Sequence, residues 1–178
     1  MDSWKSQNFE SLVNSRILVI SESEEEAVRK SYETAIATKL RVQNFDAIES
    51  HKKFPSLKEA NTPEEMSQTV QMFRDAGISA IILTSLKQTI ETQNGNMASQ
   101  TDIPSSYADK ASFGPNVASS NVPVVSTSKT YVLEALTYNL TLAKDKQLVN
   151  VCLVDVTDPD APEKIQKTFT KIIADQFK

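Results

Sequence analysis

The chain contains few of the residues from which catalytic and cofactor sites are usually built. Its 178 residues include one cysteine, one histidine and three glycines. With only Cys152 no disulfide can form within the chain, and with only His51 no metal site can use several histidines. No G-x-G-x-x-G, P-loop or G-x-S-x-G motif occurs. The sequence therefore predicts neither a phosphate-binding glycine loop nor a nucleophile elbow.

Basic stripes and long hydrophobic runs are missing too. Lys and Arg number 19 against 23 Asp and Glu, for a formal net charge of −4, and the lysines are scattered along the chain. We therefore do not expect a nucleic-acid partner, which would require clustered positive charge. No apolar run approaches the roughly 20 residues that span a bilayer. A hydrophobic content of 39% is enough for one ordinary domain core.

The first half of the chain has an α/β pattern. The apolar, β-branched run at 16–20 predicts a strand covered on both faces, and helical spacing follows to about residue 44. A short strand at 45–50, a second helix from about residue 61 and a long strand at 78–93 complete a β-α-β-α-β order. Because such crossovers are nearly always right-handed, we expect three parallel strands with helices against the sheet.

Capping signals mark the start of both helices. Ser23 with Glu26, and Thr62 with Glu65, have the spacing of a capping box. Gly77 stands where a left-handed residue would end the second helix. The predicted buried stripe of that helix consists of Met66, Val70 and Phe73.

The second half of the chain changes character. Residues 93–121 are rich in Ser, Thr, Asn and Gln and predict a long polar loop. Its aromatic residues Tyr107 and Phe113 are candidates for a partner surface, or alternatively pin the loop to its own domain. Residues 131–143 and 147–156 predict an antiparallel hairpin, and a last helix begins near residues 160–163.

Together these patterns predict a single α/β domain at 15–178, built on a mixed, twisted sheet of about five strands. Residues 1–14 are predicted to be a polar lead-in or tether that lays one or two apolar side chains on the domain. The isolated anchors are Trp4, Phe9 and Leu12.

The junction after the first strand is acidic where a phosphate site would have glycines. Its four glutamates occupy the positive end of the helix dipole, which argues against a bound anion. We interpret them as a solvated helix start, and keep as an alternative a hard cation held by carboxylates. They are Glu22, Glu24, Glu25 and Glu26.

Four other positions have plain interpretations. Arg29 and Glu33 lie four residues apart and predict a surface ion pair. His51 is predicted to be an ordinary turn or surface residue, and Cys152 a small core residue. We assign no catalytic, cofactor-binding or metal-binding residue and expect no cofactor.

Several segments taken in order resemble a known group of proteins. They are "SWKS", "RILVISES", "VRKSYETAIATKL", "FDAIESHKKFP", "MFRDAGISAIILTSL" and "YVLEALTYNLTLAKDKQLVNVCLVDVTDP". This order resembles uncharacterised small lipoproteins of Gram-negative bacteria, whose domain is similar to penicillin-binding-protein activator lipoproteins and the TolB N-terminal domain. The resemblance implies structural roles for Arg29, Glu33, Pro55, Gly77 and Glu134, and supplies no catalytic residue.

The resemblance also implies a location. It predicts a periplasm-facing domain that is held at a membrane through a lipid anchor absent from this chain. On that interpretation Met1 replaces a removed leader, whereas a native Met1 would favour the cytoplasm. We expect a non-catalytic scaffold or regulator that binds another envelope protein through the long loop or an exposed sheet edge.

The alternative function belongs to a different class. The domain would be a cytoplasmic small-ligand sensor or enzyme that uses the cleft at the carboxyl ends of the parallel strands. The side chains expected to meet there are Ser21, Ser23, Ser50, His51 and Thr84.

Overall fold

The computed structural model describes residues 1–93 and 127–178. Six strands and four helices follow one another in these residues. The strands are β1 (Asp2–Lys5), β2 (Arg16–Ser21), β3 (Asp46–Glu49), β4 (Ala80–Gln93), β5 (Thr127–Asn139) and β6 (Leu148–Thr157). The helices are α1 (Glu26–Val42), the single turn α2 (Ser50–Lys53), α3 (Pro63–Asp75) and α4 (Pro162–Gln176), with short 3-10 segments at Phe9–Asn14 and Lys144–Lys146.

All six strands form one mixed sheet in the order β1-β6-β5-β4-β2-β3. Strand β2 pairs in parallel with both β3 and β4, as the crossover argument predicts. Strands β4, β5, β6 and β1 pair antiparallel, and β5 with β6 is the predicted hairpin. The predicted α/β class with a mixed sheet is confirmed.

Helices α1 and α4 lie side by side on one face of the sheet and cover the main core. Phe169 and Ile173 of α4 pack with Ile36 and Leu40 of α1 over the inward residues of the strands. At the C-terminal end of α4 the ring of Phe177 packs against the ring of Phe9, with the ring centroids 5.0 Å apart. Cys152 is buried in the same core, as predicted, and burial raises the pKa of its thiol.

Helix α3 packs on the opposite face, over the parallel part of the sheet. Its Phe73 joins a small second core with Leu18, Ile78 and Leu140. Met66, which was predicted to be buried with Phe73, is 51% exposed, so the helix buries a narrower stripe than predicted. No helix in the described parts of the chain is long and apolar enough to cross a membrane.

The two predicted capping boxes have different outcomes. At α3 the Thr62 hydroxyl accepts from the Glu65 N–H at 3.1 Å, and the Glu65 carboxylate accepts from the Asn61 N–H at 2.8 Å. At α1 the prediction is wrong, because the Ser23 hydroxyl accepts from the Glu25 N–H in a local turn and the helix begins only at Glu26. Gly77 has φ +78°, the left-handed conformation predicted for it.

The predicted lead-in contributes structure to the sheet. Residues 2–5 form the edge strand β1, which pairs with β6 and adds the sixth strand to the roughly five expected. Phe9 and Leu12 are buried as anchors, whereas Trp4 is 51% exposed, so its prediction as an anchor is wrong. Trp4 is exposed because it lies on the face of the sheet away from the main core.

Candidate functional site

The carboxylate of Glu33 is the centre of a buried polar cluster at the carboxyl ends of β2 and β3. Glu33 projects from α1 and is 0% exposed. Its Oε1 accepts from the Ser21 N–H at 3.2 Å and from the Ser50 hydroxyl at 2.6 Å. Its Oε2 accepts from the N–H of His51 at 2.8 Å and lies 2.6 Å from Nδ1 of the same residue, which donates because its partner is a carboxylate.

This cluster overturns two predictions about surface residues. The side chain of His51 is 10% exposed, so it is not an ordinary surface residue. The pair Arg29–Glu33 is also not a surface pair, since Glu33 is fully buried and the Arg29 Nε is 4.0 Å away, buried and without a hydrogen bond. The structural role that the resemblance implied for Arg29 and Glu33 agrees with this burial.

A second buried carboxylate, Glu49, lies at the end of β3. Its side chain is 2% exposed and accepts hydrogen bonds from Arg41 and from Lys52, the latter at 2.9 Å. Arg41 also donates from Nε to the Ala47 carbonyl at 2.9 Å, which fixes the guanidinium. Burial by itself would raise the pKa of Glu49, but the hydrogen bonds from Arg41 and Lys52 outweigh burial and lower its pKa to about 2.

A pocket of about 190 Å³ opens where β2 and its parallel pairing with β4 end, on the face covered by α1 and α4. The chain leaves β2 through α1 on this face, and it enters β4 from α3 on the other. The pocket thus lies at the topological switch point of the parallel strands, the usual ligand position in open α/β sheets. Apolar walls come from α1, α4, β4 and β5, and they include Val28, Tyr32, Leu133, Ile165 and Phe169.

The five side chains predicted to meet at this cleft fall into two groups. Ser21, Ser23 and Thr84 line the pocket. Ser50 and His51 do not line it and instead bind Glu33 behind it. The two groups touch through Ser21, whose main-chain N–H donates to Glu33 while the residue itself lines the pocket.

Glu22 is the charged residue that lines the pocket. Partial loss of solvent at the pocket, then the nearby carboxylates of Glu59 and Glu134, raise its pKa, and Lys87 opposes them. Glu22 is nevertheless exposed, as are Glu24, Glu25 and Glu26 of the same junction. The described residues contain no group of three His, Cys, Asp or Glu placed to hold a metal ion, so the geometry gives no support to the cation alternative.

The second face of the sheet carries an apolar row that no helix of the described residues covers, with one exposed member and the others half-buried. Leu83, Leu136, Val151 and Trp4 stand directly opposite one another on β4, β5, β6 and β1. Residues opposite in register lie on the same side of the pleat. These four belong to neither core cluster, and α3 reaches only the parallel end of this face. We call this row, with the adjacent Leu153, the open-face row.

The predicted partner residues Tyr107 and Phe113, with the loop at 93–121 from residue 94 onward, lie outside the described residues. They stay a prediction.

No protein-family model matches the chain, and no curated protein matches it. Several solved structures are similar to it. A variant of PelC from Paraburkholderia phytofirmans, solved as a dodecamer, superposes with a TM-score of 0.50 at 7% identity, over 97% of this chain and 95% of that one. PelC from the same organism in another crystal form gives 0.49 at 9% identity, over 98% and 91%.

The lipoprotein GNA1162 from Neisseria meningitidis gives a TM-score of 0.46 at 9% identity, over 90% of this chain and 96% of that one. The likeness to the PelC variant extends over nearly the whole of both chains and shows a common fold. At such identities it assigns no activity. The resemblance to penicillin-binding-protein activators and to TolB stays a prediction.

Proposed function

We propose that this chain is a non-catalytic domain of a cell-envelope lipoprotein, which binds protein through the open-face row. The partner is a protein of the same compartment, and a second copy of this chain is the first candidate. The observation that supports the proposal most directly is the alignment of four apolar side chains across four strands on a face that no described helix covers. The PelC variant with the same fold was solved as a dodecamer, which favours self-assembly.

The size and composition of the row suit an interface. Four strands spaced about 4.8 Å apart give a row about 14 Å long. At its end stands Trp4, 51% exposed, a residue type that often dominates binding energy at interfaces. Beside the row, Lys87 and Glu134 form an ion pair at 2.9 Å, so both charge signs are present. A surface carrying both signs and an apolar centre can pair with itself about a two-fold axis.

We expect the 178-residue chain to self-associate in sedimentation velocity between about 10 and 200 µM, a range in which interfaces of modest area assemble. The double variant Trp4→Ser, Val151→Lys places a charge in the row and should sediment as a monomer over the same range. The matched control is Val42→Lys, because Val42 is 80% exposed at the end of α1, away from the row.

If the wild type stays monomeric at 200 µM, or if Val42→Lys reduces association as much as the double variant, the row is not a self-assembly surface. Crosslinking in intact cells, with the same three proteins, then tests a different envelope protein as the partner. If the double variant crosslinks to the same partners as the wild type, or if the wild type crosslinks to no partner, the row is refuted as a binding surface altogether.

The proposed location has its own test. A lipid anchor would hold the domain at a membrane, facing the periplasm, whereas the alternative is a cytoplasmic protein. We expect mass spectrometry of the mature protein from the membrane fraction to find an acylated cysteine upstream of Asp2. An unmodified chain that begins at Met1 in the soluble fraction would contradict the envelope assignment and leave the self-association result unaffected.

A further inference from the structure

The pocket where the parallel pairing of β2 with β4 ends has the size of a small organic ligand. Its volume is about 190 Å³. An apolar protein cavity of about 150 Å³ is known to hold benzene, so this pocket has room for a ring or branched chain of about six to eight carbon atoms. It lies on the face of α1 and α4, opposite the open-face row, and is therefore independent of the protein-binding proposal.

The pocket walls are apolar and aromatic. Tyr32 of α1 and Phe169 of α4 stand against each other with ring centroids 6.3 Å apart, and both line the pocket. Leu133 and Ile165 line it from β5 and α4. Such walls favour a hydrocarbon body over a polar one, because apolar surface removed from water stabilises the complex.

Two hydroxyls, one at the end of β2 and one on the β4 residue opposite it, have unused hydrogen-bonding capacity. Thr84 is 1% exposed, and its Oγ1 makes one long contact, 3.4 Å from the Ile20 carbonyl. Ser21 is buried, and its hydroxyl makes no hydrogen bond to the residues that the structure describes. A ligand with one hydroxyl or carbonyl group at this end would satisfy them.

The charge of the lining restricts the ligand further. No Lys, Arg or His lines the pocket, and the acidic Glu22 does. An anion would meet a carboxylate and no compensating cation, at a cost that rises with desolvation. Phosphates and carboxylates are thereby disfavoured.

From these four features we infer that the pocket binds an uncharged small molecule with an apolar body of about six to eight carbon atoms. One hydroxyl or carbonyl group of this molecule hydrogen-bonds to Thr84 and Ser21.

The test adds three small molecules of similar shape to the full chain. Binding of each is measured through the amide chemical shifts in two-dimensional NMR. Benzyl alcohol belongs to the predicted class of ligand, toluene lacks the polar group, and benzoate carries the disfavoured negative charge. We expect saturable shifts with benzyl alcohol at millimolar concentration, centred on residues 21–23 and 84–86. Benzoate should bind at least tenfold more weakly.

Variants separate the two halves of the site. Thr84→Val keeps the shape of the side chain and removes the hydroxyl. It should weaken the binding of benzyl alcohol about fivefold and leave the binding of toluene unchanged. Val28→Phe fills the pocket from its partly exposed rim and should abolish binding of both probes. Val42→Phe is the matched control on the same helix and should change neither.

The inference is overturned if benzyl alcohol gives no saturable shift up to 20 mM, about twentyfold above the dissociation constant of about 1 mM that is typical of a weak site. It is also overturned if benzoate binds as well as benzyl alcohol, or if Val28→Phe leaves binding intact. Should Val28→Phe lose its folded spectrum, the Thr84→Val comparison of benzyl alcohol with toluene decides the same question. The sedimentation result is unaffected in every case.

Discussion

Glu33→Ala should lower the free energy of unfolding by about 3 to 5 kcal/mol, the range for removing one partner of a buried polar network. The substitution leaves the N–H groups of Ser21 and His51, the Ser50 hydroxyl and the His51 Nδ1–H without an acceptor, all at buried or half-buried positions. It also leaves the Arg29 guanidinium without its nearest carboxylate. Guanidinium unfolding followed by circular dichroism would measure the change.

Two further variants distinguish the acceptor role of Glu33 from mere volume. Glu33→Gln keeps the size, but each carboxylate oxygen accepts from a main-chain N–H, so an amide NH₂ must face the N–H donor of Ser21 or of His51 whichever way it turns. We expect Gln to recover only part of the loss. His51→Asn keeps a donor close to the position of Nδ1 and should cost about 1 kcal/mol.

The control for these measurements is Glu26→Gln on the same helix. Glu26 forms an exposed pair with Lys30 at 2.6 Å, and its removal should leave the unfolding midpoint nearly unchanged. Equal effects at Glu26 and Glu33 would mean that net charge, and not the buried network, sets the stability. A Glu33→Gln protein as stable as the wild type would contradict the acceptor argument directly.

One sign of this network was present in the sequence. Glu33 precedes Ile36, Ala37 and Leu40 at helical spacing, so it belongs to the buried stripe of α1. Its partner His51 is 18 residues away, and no local pattern connects a helix position with a strand exit at that separation. The topology predicted that β2 and β3 end together, which brought Ser21, Ser50 and His51 near one another. It did not show that a carboxylate would lie between them.

The fold was predictable where local chemistry and periodicity agreed. Thr62, Pro63 and Glu65 fix the start of α3, and the alternation after residue 131 fixes the hairpin. Strand β1 was not predicted, because its four exposed residues of mixed polarity show no alternation of apolar and polar side chains. They form a strand only because they pair with β6. The cleft at the carboxyl ends of the parallel strands was predicted, and Ser21, Ser23 and Thr84 line it. Its apolar walls were not predicted, since they come from four elements that are distant in sequence.

Protonation of Glu49 should make the free energy of unfolding fall steeply in acid. Its pKa lies at about 2 in the folded protein and near 4.5 ordinarily. A lowered folded-state pKa stabilises the protein above about pH 5, and the stabilisation is lost as pH falls toward 2. At 1.36 kcal/mol per pKa unit the contribution at pH 7 is about 3 kcal/mol as an upper value, because Arg41 and Lys52 are partly exposed to solvent.

Comparison of the wild type with Glu49→Gln at each pH isolates this contribution, because other carboxylates titrate alike in both proteins. The wild type should be more stable by up to about 3 kcal/mol at pH 7, and the difference should shrink through pH 4 and nearly vanish at pH 2, where Glu49 itself is substantially protonated. A difference that stays constant from pH 7 to pH 2 would show that Glu49 acts through packing. Arg41→Met should then have no pH-dependent effect either, whereas on our account it raises the pKa of Glu49 and moves the acid transition to higher pH.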